Sequence, residues 1–333
     1  MMIAIPGWYT KRVLTVGIDI DANTIKLVAL KKRSAVTNTF ELVSYAHIIT
    51  TAEFPSISGA VQTALQQANI NKKSKIVLAL PYGQILAKTI RVGGDCHASP
   101  ELENNIMSHC QKIIAYPIHE ACVDFEIIGA LENKSSGCDV RVVIARRDAV
   151  EEKVNLFSAS DFSIAAVDVE SDALARSIYY VLNQNEGNDK EKICIAIHIA
   201  GQKILGLVLF MGEIVFTQEI VISVTDPSGI KQKNYLEKIK ILFPILDLAA
   251  HTFSKTKKTP GNLAGSFYLS GCCLSEEGFR SGIDEIVCKR SCLVNPFNAM
   301  NKSDAISLPH LEKHAHSLVV SCGLAMRDFH GGD

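Results

Sequence analysis

Two acids and a lysine surround the first turn of the chain, where they could bind the phosphates of a nucleotide. Asp19 lies near the end of a predicted strand, the turn is Asp21, Ala22 and Asn23, and Lys26 lies in the next strand. Facing β-hairpins can hold phosphates when small turn residues let backbone N–H groups approach them. A carboxylate such as Asp19 would then hold the Mg²⁺ shell, or Asp19 would be a strand-end residue that serves the fold. Lys26 would either neutralise a phosphate or lie on an exposed strand face.

Several of these positions are unfavourable for phosphate binding. The first turn has no glycine, and repulsion between Asp21 and a phosphate about 4 Å away would cost on the order of 1–4 kcal/mol. The second hairpin has Gly201 in its turn, but His198 stands where an acid is needed. Imidazole is a poor Mg²⁺ ligand. We therefore expect weak or absent ATP binding and no cofactor, and Mg-ATP is the ligand to test.

The two turns lie in strand patterns that repeat along the chain. In each half, a strand, a short turn and two further strands precede helical sequence, which indicates a duplicated α/β lobe. The predicted strands are Val13–Ile20, Thr24–Lys31 and Phe40–Ile49 in the first half, and Lys192–Ile199, Lys203–Phe210 and Glu213–Ile220 in the second.

A different pattern separates the halves and predicts a small inserted α+β subdomain over residues 75–147. Predicted strands Lys75–Pro81 and Gln84–Val92 precede a helix that begins near Pro100, since proline is favoured at the first helical position. Asp148 with Glu151 resembles a capping box that would start the next helix. The other predicted parts are a first lobe (13–74 and 148–185, with a C-terminal helix over 312–329), a second lobe (190–230 and 261–311) and a small helical insertion over 231–260.

Composition excludes several classes of protein. Hydrophobic residues make up 47% of the 333 residues and charged residues 21%, which is typical of a globular chain and not of a disordered one. The net charge of -1 lacks a basic excess, so we expect no nucleic-acid partner. Polar residues interrupt the most apolar stretch, 193–220, so we expect no membrane-spanning helix. The beginning of the sequence does not resemble a signal peptide, so the ten cysteines are expected to be reduced core thiols.

Two further patterns leave alternatives open. Cys288 and Cys292, with His310 and His314, have some zinc-ligand spacing. Because the cysteines lie on a predicted strand and loop without a CxxC pair, we expect no metal there. The lysine-rich segment 231–258 would either contact anionic lipid or an acidic partner, or form a solvated helix face with its apolar residues inward.

An ordered set of short motifs extends over most of the chain. The motifs are Gly17-Ile18-Asp19-Ile20 followed by Lys26-Leu27-Val28, Leu78-Ala79-Leu80-Pro81, Tyr116-Pro117 followed by Val123-Asp124-Phe125, Val167-Asp168-Val169-Glu170, Leu269-Ser270-Gly271, Asn295-Pro296-Phe297 and Gly323-Leu324-Ala325-Met326-Arg327. Their order over residues 13–329 resembles the PilM family of type IV pilus assembly, an actin-like family related in fold to the division protein FtsA. Each motif is short, and the ordered set is what makes the resemblance fairly specific.

The resemblance implies an α/β, actin-like (ribonuclease H-like, duplicated) fold of two lobes with a small inserted α+β subdomain. This chain departs from the family pattern at the nucleotide site. Asp21 replaces a glycine, His198 replaces the acid of the second hairpin, and Cys272 replaces the second glycine of a pair that begins with Gly271. Adjacent Cys272 and Cys273 would also point to opposite faces of a strand. The scaffold motifs persist while the site positions have changed.

The resemblance also implies partners. A groove formed by the inserted subdomain and the first lobe would bind the N-terminal cytoplasmic tail of PilN, a single-pass inner-membrane protein. The expected groove residues are Leu80, Pro81, Tyr82, Leu86 and Phe125. Contacts with the pilus motor and other inner-membrane pilus proteins are implied as well. The chain would then be cytoplasmic and peripheral to the inner membrane, with only indirect membrane contact.

Together these observations predict a non-catalytic scaffold. One alternative is an ATP-binding member whose nucleotide state controls partner binding, and another is a sugar kinase of the actin-like fold. The changed residues at both turns, Asp21 and His198, argue against these two. A third alternative is a filament former with a C-terminal membrane helix, and the short polar C-terminus, 327–333, argues against such an anchor.

Overall fold

The computed structural model describes residues 14–21, 23–34, 39–50, 56–93, 100–130, 137–158, 160–184, 192–222, 230–256, 267–276 and 278–327, and the statements below concern these residues. The chain divides into two compact units, a smaller unit over residues 80–159 and a larger unit formed by the rest. Each unit is described by itself.

The secondary structure mixes strands and helices throughout. The strands are β1 (Thr15–Asp21), β2 (Thr24–Ser34), β3 (Thr39–Ile49), β4 (Lys75–Leu80), β5 (Ile85–Val92), β6 (Ala121–Ala130), β7 (Cys138–Arg146), β8 (Ile164–Val169), β9 (Ile193–Ala200), β10 (Lys203–Phe210), β11 (Glu213–Val221), β12 (Phe267–Gly271), β13 (Ser291–Leu293) and β14 (Asn301–Lys302). The helices are α1 (Ile57–Gln67), α2 (Pro100–Ile113), α3 (Arg147–Asn155), α4 (Glu170–Gln184), α5 (Ile230–Thr256), α6 (Phe279–Val287), α7 (Leu308–His314) and α8 (Val319–Ala325).

Two sheets of the larger unit share one arrangement. The first has the order β14-β3-β2-β1-β4-β8 and the second the order β11-β10-β9-β12-β13. In each sheet, three successive antiparallel strands are joined by a parallel strand, β4 beside β1 and β12 beside β9. The predicted duplication of an α/β lobe is therefore confirmed. β9 is buried along its whole length, which explains why its sequence is apolar at nearly every position.

Helices from distant parts of the sequence cover these sheets. In the first lobe, α8 packs against β1, β2 and α4, and the Ser321 hydroxyl donates a 3.0 Å hydrogen bond to the backbone oxygen of Lys26. In the second lobe, α5 packs on β9, β10 and β11 through one apolar face that includes Ile239, Leu242 and Leu246. The segment predicted as an insertion over 231–260 thus differs from the structure, because α5 supplies much of the second lobe's core.

The smaller unit is a three-stranded antiparallel sheet with the order β5-β7-β6. One sheet face is apolar and buries Leu102, Ile106 and Cys110 of α2 against β7 residues such as Val140 and Val142. Because β7 lies in the centre, β5 and β6 each pair with a described strand on one side only. The helix predicted to start near Pro100 begins there.

Two predicted details of this region were wrong. The inserted subdomain does not start at residue 75, because β4 pairs in parallel with β1 in the larger unit's sheet. The expected capping box at Asp148 is also absent. Helix α3 begins one residue earlier without a side-chain cap, since the Asp148 carboxylate instead pairs with Arg146 at 3.0 Å and accepts a 2.8 Å bond from the Ala149 N–H.

Two further expectations concern the cysteines and the membrane. All the cysteines that the structure describes are free thiols, and Cys110, Cys138, Cys194 and Cys322 are buried, as predicted for core thiols. Cys288 is exposed and does not fit that prediction. Within the described ranges, no helix has both the length and the apolar character needed to cross a membrane.

Candidate functional site

The two hairpin turns that were predicted from the sequence face each other in the larger unit. Gly201 adopts a left-handed backbone with φ of +54°, and a Cβ at this position would lie 2.8 Å from Asp21 Oδ1. A glycine is thus required where the two turns approach. The Asp21 carboxylate lies against the second turn, in the space that a phosphate would enter in a nucleotide site. Asn23 is exposed, and Ala22 lies outside the described residues.

Lys26 forms a buried cluster of charges with the two acids of the first hairpin. Its Nζ lies 3.1 Å from Asp19 Oδ2 and 3.6 Å from Asp21 Oδ2, and the residue is only 1% exposed. The alternative of an exposed strand lysine was therefore wrong. The cause is register, because Lys26 stands directly opposite Asp19 in the β1–β2 ladder.

Charge attraction keeps this pair ionised despite its burial. Burial alone would lower the pKa of the Lys26 ammonium, but the charges of Asp19 and Asp21 outweigh it and raise that pKa above its usual range. Burial likewise raises the pKa of Asp19, while Lys26 outweighs this effect and the net pKa is lowered. The ammonium and the carboxylate therefore neutralise each other inside the protein.

His198 occupies the corresponding position of the second hairpin and is fully buried. Its Nδ1 lies 2.8 Å from the Ser270 hydroxyl on neighbouring β12. Burial, assisted by the nearby charge of Lys26, lowers the pKa of the ring to about 3. His198 is therefore neutral at physiological pH. Its Nε2 is buried without a hydrogen-bond partner in the part of the chain that the structure describes.

The end of β12 forms the third part of the site. Gly271 has a φ of +111°, and a Cβ there would lie 1.9 Å from the backbone oxygen of Ile199. The next residue, Cys272, donates its N–H to the same oxygen at 2.8 Å. Tyr235 of α5 donates a hydrogen bond from its hydroxyl to the Gly201 carbonyl and lies 4.0 Å from Cys272 Sγ. The Tyr235 side chain thus contacts both the turn at Gly201 and the segment that follows β12 at Cys272.

The thiols of Cys272 and Cys273 interact, so the expectation that they point to opposite faces was wrong. Strand β12 ends before them, and Cys273 has a φ of +65°, which breaks the strand alternation. A hydrogen bond from the Cys273 thiol lowers the pKa of Cys272 to about 6, although burial opposes the shift. Cys272 thus combines a side chain larger than glycine with a lowered thiol pKa at the end of β12.

The sequence did not predict the roles of Tyr235 and Ser270. Tyr235 is on the buried face of α5 with Ile239, Leu242 and Leu246, and neither its burial nor its hydrogen bond was predicted. Ser270 was identified only as part of a motif. Its partner is 72 residues away in sequence, so only strand pairing could reveal the contact.

Other motif residues of the larger unit bind one another. Asp168 is buried and pairs with Arg176 at 3.1 Å and with Arg327 at 2.9 Å. Glu170, at the start of α4, forms a buried ion pair with Lys203 of β10. The pair of Asp168 and Arg327 thus joins two motifs that are more than a hundred residues apart, and the pair of Glu170 and Lys203 joins α4 to β10. These acids act as structural links, because their charges are matched inside the protein.

The two histidines of the zinc-like spacing pack against each other with tilted rings, and His314 also stacks on His47. The ring centroid of His314 lies 4.4 Å from that of His47 and 4.8 Å from that of His310. Tyr45 contacts His310 Nδ1 at 2.7 Å. Over the described residues, no group of three or more His, Cys, Asp or Glu side chains is arranged to hold a metal ion.

A cavity of about 660 Å³ opens in the smaller unit. Its lining includes apolar side chains from β5, from the end of α2 and from β7, namely Leu86, Ile113, Ile114 and Ile144, together with polar Gln84, Arg146 and Glu152. The Arg146 guanidinium lies 5.0 Å from the centre of the Tyr116 ring, which also lines the cavity. We call this space the docking cavity.

The predicted groove residues are distributed around this region. Leu86 is 37% exposed and lines the docking cavity. Tyr82 and Pro81 are half-buried in the connection before β5, and Leu80 is buried. Phe125 is half-buried and packs into the core of the smaller unit. Of the five, Leu86 is the one whose side chain reaches the cavity described above.

A family model described as type IV pilus assembly protein PilM matches residues 17–222 and 239–329. The chain belongs to the PilM family. A solved PilM–PilN type IV pilus biogenesis complex is similar in fold, with a TM-score of 0.70 at 17% identity over 95% of this chain and 98% of that chain. More distant are the cytoplasmic domain of EpsL from the Vibrio cholerae type II secretion system (TM-score 0.46, 12% identity, 95% and 96% covered) and a Bacteroides thetaiotaomicron protein with an actin-like ATPase fold (0.44, 6%, 86% and 93%).

The similarity to the solved PilM–PilN structure confirms the predicted fold. Asp168, Glu170 and Arg327, three of the motif residues, bind partners inside the fold. Asp21 and His198, which the sequence analysis expected to be unfavourable for nucleotide, lie in the two hairpins.

Proposed function

We propose that this chain is a non-catalytic scaffold of type IV pilus assembly with a degenerate nucleotide site. It would act at the cytoplasmic face of the inner membrane and dock the N-terminal tail of PilN. Contacts with the pilus motor and other inner-membrane pilus proteins belong to the same proposal. Support comes from membership of the PilM family and from the similarity of the fold to a protein solved as a PilM–PilN complex.

The main support for a degenerate nucleotide site is the charge cluster of Lys26, Asp19 and Asp21. In a Mg-ATP site, a lysine would face phosphate and an aspartate would face the Mg²⁺ shell. Here Lys26 pairs with both acids, and the Asp21 carboxylate lies against Gly201. A nucleotide would have to break the buried pair of Lys26 and Asp19 and bring its phosphates close to the Asp21 carboxylate. Either change opposes binding.

The opposite hairpin offers no compensation. His198 is neutral and buried, so it provides no carboxylate for a Mg²⁺ shell. Cys272 places its side chain where the family pattern has glycine, and Tyr235 contacts it from α5. These features support a scaffold whose partner binding does not depend on ATP.

The smaller unit offers a receptor for an extended peptide. β5 has one unpaired edge among the described strands, and the docking cavity opens beside it with Leu86 in its lining. A peptide can add to such an edge through its backbone while one side chain enters the cavity. We propose that the PilN tail binds here, along the segment that contains Leu80, Pro81, Tyr82 and Leu86, with Phe125 supporting the sheet.

Fluorescence anisotropy with a labelled PilN tail peptide tests this proposal. The wild-type chain should bind the peptide without nucleotide, and adding Mg-ATP should not change the affinity. Leu86→Asp should weaken binding by about tenfold or more, because it replaces an apolar side chain of the cavity lining by a charged one. Met107→Asp is the matched control, since Met107 lies in the same unit with 38% exposure against 37% for Leu86.

The outcomes separate the parts of the proposal. Peptide binding that requires Mg-ATP would contradict the nucleotide-independent scaffold. Equal binding by Leu86→Asp and Met107→Asp would exclude the docking cavity as the PilN site. Circular dichroism of each variant shows whether the fold is retained, so loss of binding can be distinguished from unfolding.

A further inference from the structure

The solvent face of α5 carries an apolar stripe whose residues do not line the docking cavity. Ile241, Ile245 and Leu248 are 56%, 40% and 68% exposed. Their spacing of four and three residues places them on one helix face. The opposite face, with Ile239, Leu242 and Leu246, is buried in the core of the second lobe. The helix is therefore apolar on both sides over its central turns, and within the described residues only one of these sides is covered. We call the exposed residues the α5 stripe.

Positive charge surrounds the α5 stripe. The sequence of α5 contains five lysines and two acids, a net charge of +3, in a chain whose total is -1. Both acids are already paired, Glu237 with Lys240 at 3.0 Å and Asp247 with Lys289 at 3.2 Å. Lys233 before the stripe and Lys255 after it are exposed. A partner that covers this face should be both apolar and anionic.

We propose that the α5 stripe is an interfacial membrane contact that inserts Ile241, Ile245 and Leu248 into a bilayer containing anionic phospholipid. The helix would lie along the surface, held to the rest of the fold by its buried face. Insertion of aliphatic side chains and attraction of lysines to anionic headgroups act together at such a surface. The contact would be direct, in addition to any membrane association through a protein partner.

A protein partner fits this face less well. A second copy would have to pair the stripe as a coiled-coil seam, but the next seam positions are Lys238 and Thr252. An apolar seam of two turns is shorter than coiled coils require. Three side chains also provide little of the roughly 800 Å² per partner that stable protein interfaces bury. A lipid surface requires no matching shape, so a small apolar patch with flanking lysines is sufficient.

Vesicle co-sedimentation of the full chain tests the proposal. Vesicles of phosphatidylcholine with phosphatidylglycerol should bind the wild-type protein, and pure phosphatidylcholine vesicles should bind it much less. The triple variant Ile241→Ser, Ile245→Ser, Leu248→Ser should lose at least about tenfold in partitioning. The matched control is Ile49→Ser with Leu308→Ser, which removes aliphatic side chains that are 60% and 52% exposed elsewhere. Because the substituted positions are exposed, both variants should stay folded.

Each other outcome overturns the proposal. Absence of wild-type binding to anionic vesicles would do so, and so would equal binding by the triple variant, which would mean attraction by charge alone. Light scattering would detect the alternative, a dimer of this chain formed through the α5 stripe. A dimer that the triple variant loses, without any vesicle binding, would make the stripe a contact between copies of the chain. PilN-peptide binding should be unchanged in the triple variant, which separates this test from that of the docking role.

Discussion

The facing hairpins and the docking cavity differ in whether their groups already have partners within the protein. At the hairpins, Lys26 and Asp19 are buried and bind each other, so the charges that could hold a ligand are neutralised within the protein. At the docking cavity, Leu86 is exposed and β5 has an unpaired edge among the described strands. A region whose charges are paired internally stabilises the fold, whereas a region with exposed apolar side chains and an unpaired strand edge can bind a partner. We therefore infer that the hairpin region stabilises the fold and that the docking cavity binds the partner.

The largest expected effect comes from removing the central charge of the hairpin cluster. Lys26→Met should lower the free energy of unfolding by about 3–5 kcal/mol, because it removes the ammonium that pairs with the buried Asp19 carboxylate. Urea unfolding followed by circular dichroism measures the change. Lys72→Met is the control, because Lys72 and its partner Asp161 are both largely exposed, so no measurable loss is expected. Equal effects of the two substitutions would mean that the cluster is not structural.

Acid should destabilise the hairpin region through His198. Its pKa is about 3 when folded against 6.5 for a free ring, so between these values the unfolded chain binds the extra proton. Stability should then fall as pH is lowered from 6.5 towards 3, by about 1.4 kcal/mol per pH unit from this group. His47 adds in the same direction, since burial lowers its pKa to about 4.

Unfolding titrations at several pH values isolate the His198 contribution. His198→Asn keeps a side chain that can hydrogen-bond Ser270 but cannot take up the proton, so it should flatten the slope over this range. His47→Asn should flatten it less. A slope unchanged by His198→Asn would show that this ring is not the buried neutral group described above.

Reversing the three changed positions should restore part of a nucleotide site. The variant Asp21→Gly, His198→Asp, Cys272→Gly removes the acid beside Gly201, supplies a carboxylate to the second hairpin and clears space after Gly271. Its affinity for Mg-ATP should exceed that of the wild-type chain by about tenfold or more. No gain in a folded variant would mean that the degeneracy lies elsewhere in the site.

A smaller effect concerns thiol reactivity. Cys272 should be alkylated by iodoacetamide with half-maximal rate near pH 6, because the thiolate that reacts is already present there. The titration would use a chain with Cys288→Ser, which removes the one exposed thiol among the described cysteines. Cys273→Ser should change the profile only modestly if the serine hydroxyl donates in place of the thiol, whereas Cys273→Ala should move it to higher pH. An unchanged profile with Cys273→Ala would exclude that hydrogen bond as the cause.

The sequence predicted the scaffold better than the contacts within the site. The repeated strand–turn–strand pattern led to the correct lobe arrangement, because apolar strand periods and turn residues are local signals. The burial of Lys26 was missed because it depends on the register that places the lysine opposite Asp19 and under α8. Tyr235 was missed because α5 was interpreted as an insertion, although its apolar spacing was visible. Contacts between distant segments require the assembled fold.

The most direct test of the account is a calorimetric titration of the folded full chain with Mg-ATP. We predict no detectable binding heat up to millimolar ATP, with the triple reversal variant titrated alongside it. That result would support a chain whose facing hairpins are a structural cluster and whose function is docking. Binding at low micromolar strength would contradict the account, because it would mean that the Lys26 cluster opens for nucleotide and that the scaffold is switched by ATP.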